Sequence, residues 1–141
     1  MSLPSIVIES DPSRQDVQFL EDRLTEFNFE TTGITDGRLL ASFPRDENGE
    51  IIAGLYGWTW GGVCEILDLW VRADARGRGL GSAVLAAAEA EAKARGCSQL
   101  FLDTHSFQAP EFYKKHGYQV EAVRENYPRG FQKIYLRKEL G

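Results

Sequence analysis

Apolar residues change their spacing several times along the chain, and each change marks an element. Over residues 12–27, Val17, Leu20 and Leu24 share a face while Arg14, Asp16, Glu21 and Arg23 fall elsewhere, which predicts a helix with one apolar stripe. Asp11-Pro12-Ser13 supplies a cap and a proline suited to its first turn. Before it, the β-branched run at residues 5–9 predicts a first strand. Residues 31–37 contain two glycines and no period, which predicts a loop. Residues 38–44 and 50–60 then read as the arms of a hairpin turned by Asp46-Glu47-Asn48-Gly49. Gly54 and Gly57 interrupt the second arm, and glycine inside a strand marks a bulge or the close approach of another backbone.

After Gly61-Gly62 the pattern becomes nearly continuous. Residues 63–71 suit a central strand covered on both faces, with Glu65 and Asp68 as the two carboxylates inside it. Residues 82–95 are rich in alanine, with Val84, Leu85 and Ala88 on one stripe and Gly96 placed to end the helix. Residues 98–105 are the next strand, and the order strand, helix, strand implies a parallel crossover. A short helix over 109–116 has Pro110 in its first turn and Gly117 at its end. Residues 118–123 and 131–140 are closing strands joined through Tyr127-Pro128-Arg129-Gly130. The sum is one α/β domain over residues 1–141, of α+β type, with a mixed, mostly antiparallel sheet of six or seven strands flanked by helices.

Composition narrows the class. A chain of 141 residues with 43% hydrophobic and 26% charged residues has the make-up of a globular domain with one core. No apolar run approaches the roughly 18 to 20 residues of a membrane span, and no basic region precedes an apolar run at the N-terminus. A soluble, cytoplasmic protein is expected. Cys64 and Cys97 lie in neither metal-ligand nor redox spacing and read as small buried hydrophobes. No metal is implied. The net charge of -5 argues against a general nucleic-acid binder and suits a cationic substrate.

Against that acidic background, Arg72, Arg76 and Arg78 gather at the loop Arg76-Gly77-Arg78-Gly79-Leu80-Gly81. Glycines at alternate positions let a ligand approach the backbone, and the helix that follows presents unpaired N–H groups and the positive end of its dipole. Such a loop looks like a phosphate cradle, the alternative from these residues alone being a solvated loop with incidental arginines.

The strand end Leu69-Trp70-Val71, the spacing of Arg76 with Gly79 and Gly81, and Ala109 leading to Phe112-Tyr113-Lys114-Lys115-His116-Gly117-Tyr118 together resemble the GNAT superfamily of acetyl-CoA-dependent N-acetyltransferases. The order of elements fits across the chain, and the specific signal spans Glu65 to Tyr118. The resemblance implies that acetyl-CoA is the cofactor. Its pyrophosphate would be held by N–H groups of Arg76, Gly77, Arg78, Gly79, Leu80, Gly81 and Ser82. Its pantetheine arm would run along Leu69, Trp70 and Val71, in a splay between this strand and the next. Tyr113 matches the tyrosine that protonates the leaving thiolate. Many members have asparagine where this chain has Ser106, whose shorter side chain weakens that contact to the coenzyme.

Glu65 matches the general-base glutamate of the histone-acetylating branch. An amine with a pKa near roughly 10 arrives protonated, so a base is required. Strand alternation puts Glu65 with Leu67 and Leu69 on one face and Asp68 with Trp70 on the other, so only one of the two faces the amine. Glu65 is favoured, with Asp68, acting through water, as the alternative. Asp103 and His105 share a face at the end of their strand near the acceptor, and Trp58, Trp60 and Tyr127 are candidates for an aromatic wall around a cationic amine. The expected reaction is acetyl transfer to a primary amine, most naturally of a small cationic molecule, by direct attack in a ternary complex. A peptide or protein amine is the second acceptor class, and a non-catalytic acyl-CoA-binding module is the rival from outside enzymes. Dimers are common among proteins of this pattern.

Overall fold

The computed structural model describes residues 2–141. The chain forms two compact units, the first ending at Thr35 and the second spanning Asp36–Gly141. In the first unit, residues 2–9 have no regular secondary structure, so the strand expected over 5–9 does not form. β-propensity fits a residue to a pleated surface but supplies no neighbour for its N–H and C=O groups. Helix α1 covers Arg14–Thr32. Its N-cap is Ser13, whose hydroxyl accepts the Asp16 N–H at 3.1 Å. Gly33, at φ 72°, closes it by donating to Phe29 O at 2.8 Å.

The second unit is built on a six-stranded sheet. Its strands are β1 (Arg38–Ser42), β2 (Ala53–Trp60), β3 (Val63–Val71), β4 (Gln99–His105), β5 (Gln119–Glu125) and β6 (Gln132–Glu139). Their order is β1-β2-β3-β4-β6-β5, with β3 and β4 parallel and every other pair antiparallel. The mixed, mostly antiparallel sheet expected from the pattern is therefore present with six strands. The β1–β2 arms are shorter than their apolar runs. Beyond Ser42 only an Arg45–Ile51 bridge continues the pairing, above a turn in which the Asp46 carboxylate accepts the N–H groups of Asn48 and Glu50.

Helix α2 (Leu80–Ala94) links β3 to β4, and α3 (Pro110–Lys115) links β4 to β5. Leu40, Leu55, Cys64, Ile66, Leu100, Leu102 and Leu136 point from the sheet into one core with Val84, Leu85, Ala88 and Ala92 of α2 and Tyr113 of α3. We call this the inner face. Glu89 of α2 ties the layers together on its polar side, accepting Tyr118 Oη at 2.7 Å and pairing with Lys138 at 3.0 Å. Among the described residues, no helix is long and apolar enough to cross a membrane.

Candidate active site

The site is organised by an irregularity in β3. Tyr56 pairs with Asp68 and Gly57 with Ile66, so Leu67 has no counterpart and bulges. Gly57 makes this possible. A Cβ there would lie 2.1 Å from Glu65 O and 2.9 Å from Ile66 Cα, so the bulged backbone occupies the space any other side chain needs.

The bulge corrects one expectation. Uninterrupted alternation puts Glu65 and Asp68 on opposite faces, but the extra residue brings them to the same one: Glu65 is paired with Trp58 and Asp68 with Tyr56, two positions apart on β2. Leu69, paired with Leu55, turns to the inner face instead. Both carboxylates therefore stand on the outer face. Glu65 is half-buried there, and Trp58 Nε1–H donates to its Oε2 at 3.1 Å. Trp58, expected in an aromatic wall, is thus the hydrogen-bond partner of Glu65.

The bulge also opens the sheet. β3 pairs with β4 only from Val63↔Gln99 to Ile66↔Leu102, and Leu67–Val71 diverge from that neighbour. The wedge leads into a cavity of about 680 Å³ lined by Leu69, Trp70, Val71, Arg76, Gly77, Gly79, Leu80, Gly81 and Ser82, with Phe112 and Tyr113 from α3. The glycine loop forms one end. Gly77 and Gly79 have φ of 79° and 78°, and Gly79 is the N-cap of α2, which starts at Leu80 rather than 82. The first N–H groups of α2 have no partner within the helix, so they are free for an anion. Arg76 Nε donates to Val71 O at 2.9 Å, holding the loop to the strand end. Arg78 Nη2 donates to Asp74 O and is not part of the cavity wall. Arg72 also turns away: it is ion-paired with Asp74, Asp46 and Glu50. Its hydrogen bond holds the Asp74 carboxyl below the usual range, while the Glu50 N–H does most to hold Asp46 down, ahead of the Asn48 N–H and the Arg72 charge.

Tyr113 is buried against Phe112 and Tyr118 in edge-on contacts and reaches the cavity wall. Burial, reinforced by the charge of Asp103, pushes its hydroxyl up to about 12, so it keeps its proton throughout the neutral range. Ser106 does not line the cavity. Its hydroxyl accepts the Gln132 N–H at 2.9 Å and ties the loop after β4 to β6. In its place the wall includes Phe107, Gln108 and Ala109. Gln108 escapes sequence reasoning because nothing in its neighbourhood announces that its side chain turns back to accept the His105 N–H at 2.7 Å.

Asp103 and His105 share the outer face with Glu65 through the register Glu65↔Phe101. Asp103 lies 3.8 Å from Lys133. The His105 ring stacks between Phe107 and Tyr127, at centroid distances of 5.2 and 5.7 Å. Its Nδ1 sits 3.1 Å from Tyr127 O; a carbonyl only accepts, so Nδ1 carries the proton and a neutral ring keeps its lone pair on Nε2. Tyr127 has Lys133 Nζ at 4.9 Å over its ring, so the chain's own cation takes a place proposed for a substrate's. Trp60 lies away from this group, at the β2–β3 turn, lining a separate cavity of about 110 Å³ with Asp36, Arg38 and Arg95. Cys64 and Cys97 are buried. Loss of hydration raises the Cys64 thiol to about 12 and raises Cys97 as well, so neither is a nucleophile.

A mixed sheet parted beside a bulged strand, with free helix N–H groups at one end of the gap and a protonated tyrosine in its wall, leaves room for an elongated ligand along the open edge of β3. Comparison with known proteins gives the family. Residues 7–118 match the model of the acetyltransferase (GNAT) family, and the chain belongs to that family. It is 42% identical over 104 residues to the blasticidin-S acetyltransferase of Streptomyces morookaense, covering 71% of this chain and 74% of that protein. A crystal structure of an acetyltransferase from Bacillus cereus superposes with a TM-score of 0.77 at 31% identity, covering 94% of this chain and 97% of that one. A Bacillus anthracis protein whose structure contains acetyl coenzyme A shares the fold, with a TM-score of 0.63 at 20% identity, over 72% of this chain and 62% of that one. The protein is an acetyl-CoA-dependent N-acetyltransferase.

Proposed function

We propose that the acceptor is a primary amine of a small cationic molecule, that it approaches from the outer face, and that it attacks the acetyl carbon directly in a ternary complex. The observation that carries this reading is the placement of Glu65 and Asp68 on one face beside the parted edge of β3. Asp103, on the same face, adds a third carboxylate. The naming of a relative as a blasticidin-S acetyltransferase supports a small acceptor.

The coenzyme fits the inner side of the gap. Gly77 and Gly79 leave open space where a side chain would stand, the first turn of α2 offers free N–H groups, and the edge of Leu69–Val71 has backbone groups to spare. When bound, acetyl-CoA supplies an acetyl group activated as a thioester. Glu65 takes a proton from the incoming ammonium; Trp58 holds one carboxylate oxygen, which leaves the other free for the amine. Asp68, two pairs along, holds the cation in place. Tyr113 holds a proton at Oη for the departing sulfur.

The test is thiol release from acetyl-CoA across diamines, polyamines, amine-bearing antibiotics and short peptides. Turnover is expected with the small cationic amines. Turnover confined to peptides would transfer the reading to a peptide or protein amine.

A further inference from the structure

His116 belongs to the Phe112–Tyr118 run but has no part in the reading above. It caps the C-terminus of α3, outside the cavity wall, and its Nε2 lies 3.0 Å from Ser82 Oγ, which does line the cavity. Ser82 is the third residue of α2, so its hydroxyl stands among the free N–H groups of the cradle. The imidazole also packs on Phe112, a second wall residue, at a centroid distance of 4.8 Å. His116 thus stands behind the cradle, touching two residues that face into it.

A serine hydroxyl has one proton and two lone pairs. Were it donated to His116, only lone pairs would remain toward the cavity, and they repel an anion. With Nε2–H as the donor, the hydroxyl proton is left for the ligand. An anion in the cradle selects the second arrangement, and a bond from a hydroxyl to a phosphate oxygen is charge-assisted. We propose that His116 is a positioning residue for the coenzyme: its Nε2–H donates to Ser82 Oγ and turns the hydroxyl proton toward the diphosphate. This rests on the cradle holding the coenzyme's diphosphate.

Calorimetric titration of the full chain with coenzyme A tests it. Ser82→Ala and His116→Phe should each weaken binding about tenfold, and the double variant should be no weaker than either alone. His116→Phe keeps an aromatic ring against Phe112 and loses the donor, whereas His116→Gln loses the ring and keeps an Nε2–H donor. Affinity restored by glutamine is the expected result. Parent affinity in His116→Phe, additive losses in the double variant, or a glutamine variant as weak as the phenylalanine one would each overturn the proposal. Ser82→Ala, which removes a single oxygen, keeps the test open if a His116 variant folds poorly. Gly79→Asp separates the two levels: aspartate tolerates the left-handed conformation there and puts a negative charge in the cradle. If it binds coenzyme A as the parent does, the cradle reading itself fails. If it loses binding while His116→Phe does not, only the role of His116 falls.

Discussion

The two halves of β3 have similar apolar composition and opposite tasks. Val63–Ile66 is hydrogen-bonded on both sides, to β2 and to β4, and sends Cys64 and Ile66 into the core. Leu67–Val71 keeps only β2, and its other edge borders the cavity. The difference comes from one extra residue, Leu67, and from one missing side chain, at Gly57. A single bulge parts the sheet, leaves backbone groups unpaired for a ligand, and rotates Asp68 onto the face of Glu65. The first half of the strand is built into the sheet and the second half borders the candidate site.

The largest effect should come from erasing the bulge. Gly57→Ala forces a methyl group into the Glu65 carbonyl, and we expect a loss of about 3 kcal/mol in urea unfolding, at the upper end of ordinary overpacking, with activity lost as well. An unchanged midpoint would mean that the two halves are not held apart by that glycine. Next is Tyr113→Phe, which should lower kcat about 100-fold with coenzyme affinity unchanged, because it removes the hydroxyl proposed to protonate the sulfur and keeps the ring. An unaltered kcat would remove the proposed acid. Third, Glu65→Gln should lower kcat/KM about tenfold, most at low pH where the amine is most protonated, and more than Asp68→Asn. Equal losses for the two, or a pH profile parallel to the parent's, would erase the distinction between base and cation holder.

The smallest effect concerns the paired half. The Cys64 thiol is raised from 9.0 to about 12 by burial, so the folded state holds its proton while the unfolded state releases it above pH 9. The stability this group contributes is complete below pH 9 and is lost as pH rises toward 12, with a slope approaching about 1.4 kcal/mol per pH unit. Cys64→Ala should therefore be less stable than the parent at pH 8 and show a shallower decline between pH 9 and 11. Parallel declines would show that the thiol does not titrate on unfolding.

Much of this was legible in the residues. The alanine-rich helix and its glycine stop, the hairpin turn and the glycine loop all carry local signals, because caps, turns and cradles use side-chain types specific to their backbone shapes. Glycine at 57 inside a strand signals a bulge or a close approach, and the structure has both there. Alternation does not reveal the residue bulged opposite it, and that one extra residue puts Glu65 and Asp68 on the same face instead of opposite ones. The run at residues 5–9 shows the reverse failure, strand-like residues that make no strand. Contacts such as Trp58 with Glu65 and Ser82 with His116 join residues 7 and 34 positions apart, and only the folded register brings such pairs together.

The strand order has a consequence for synthesis. β6 lies between β4 and β5, so β5 has no place in the sheet until residues 132–139 have left the ribosome. Glu89, which accepts Tyr118 Oη, likewise gains its Lys138 partner only once β6 is in place.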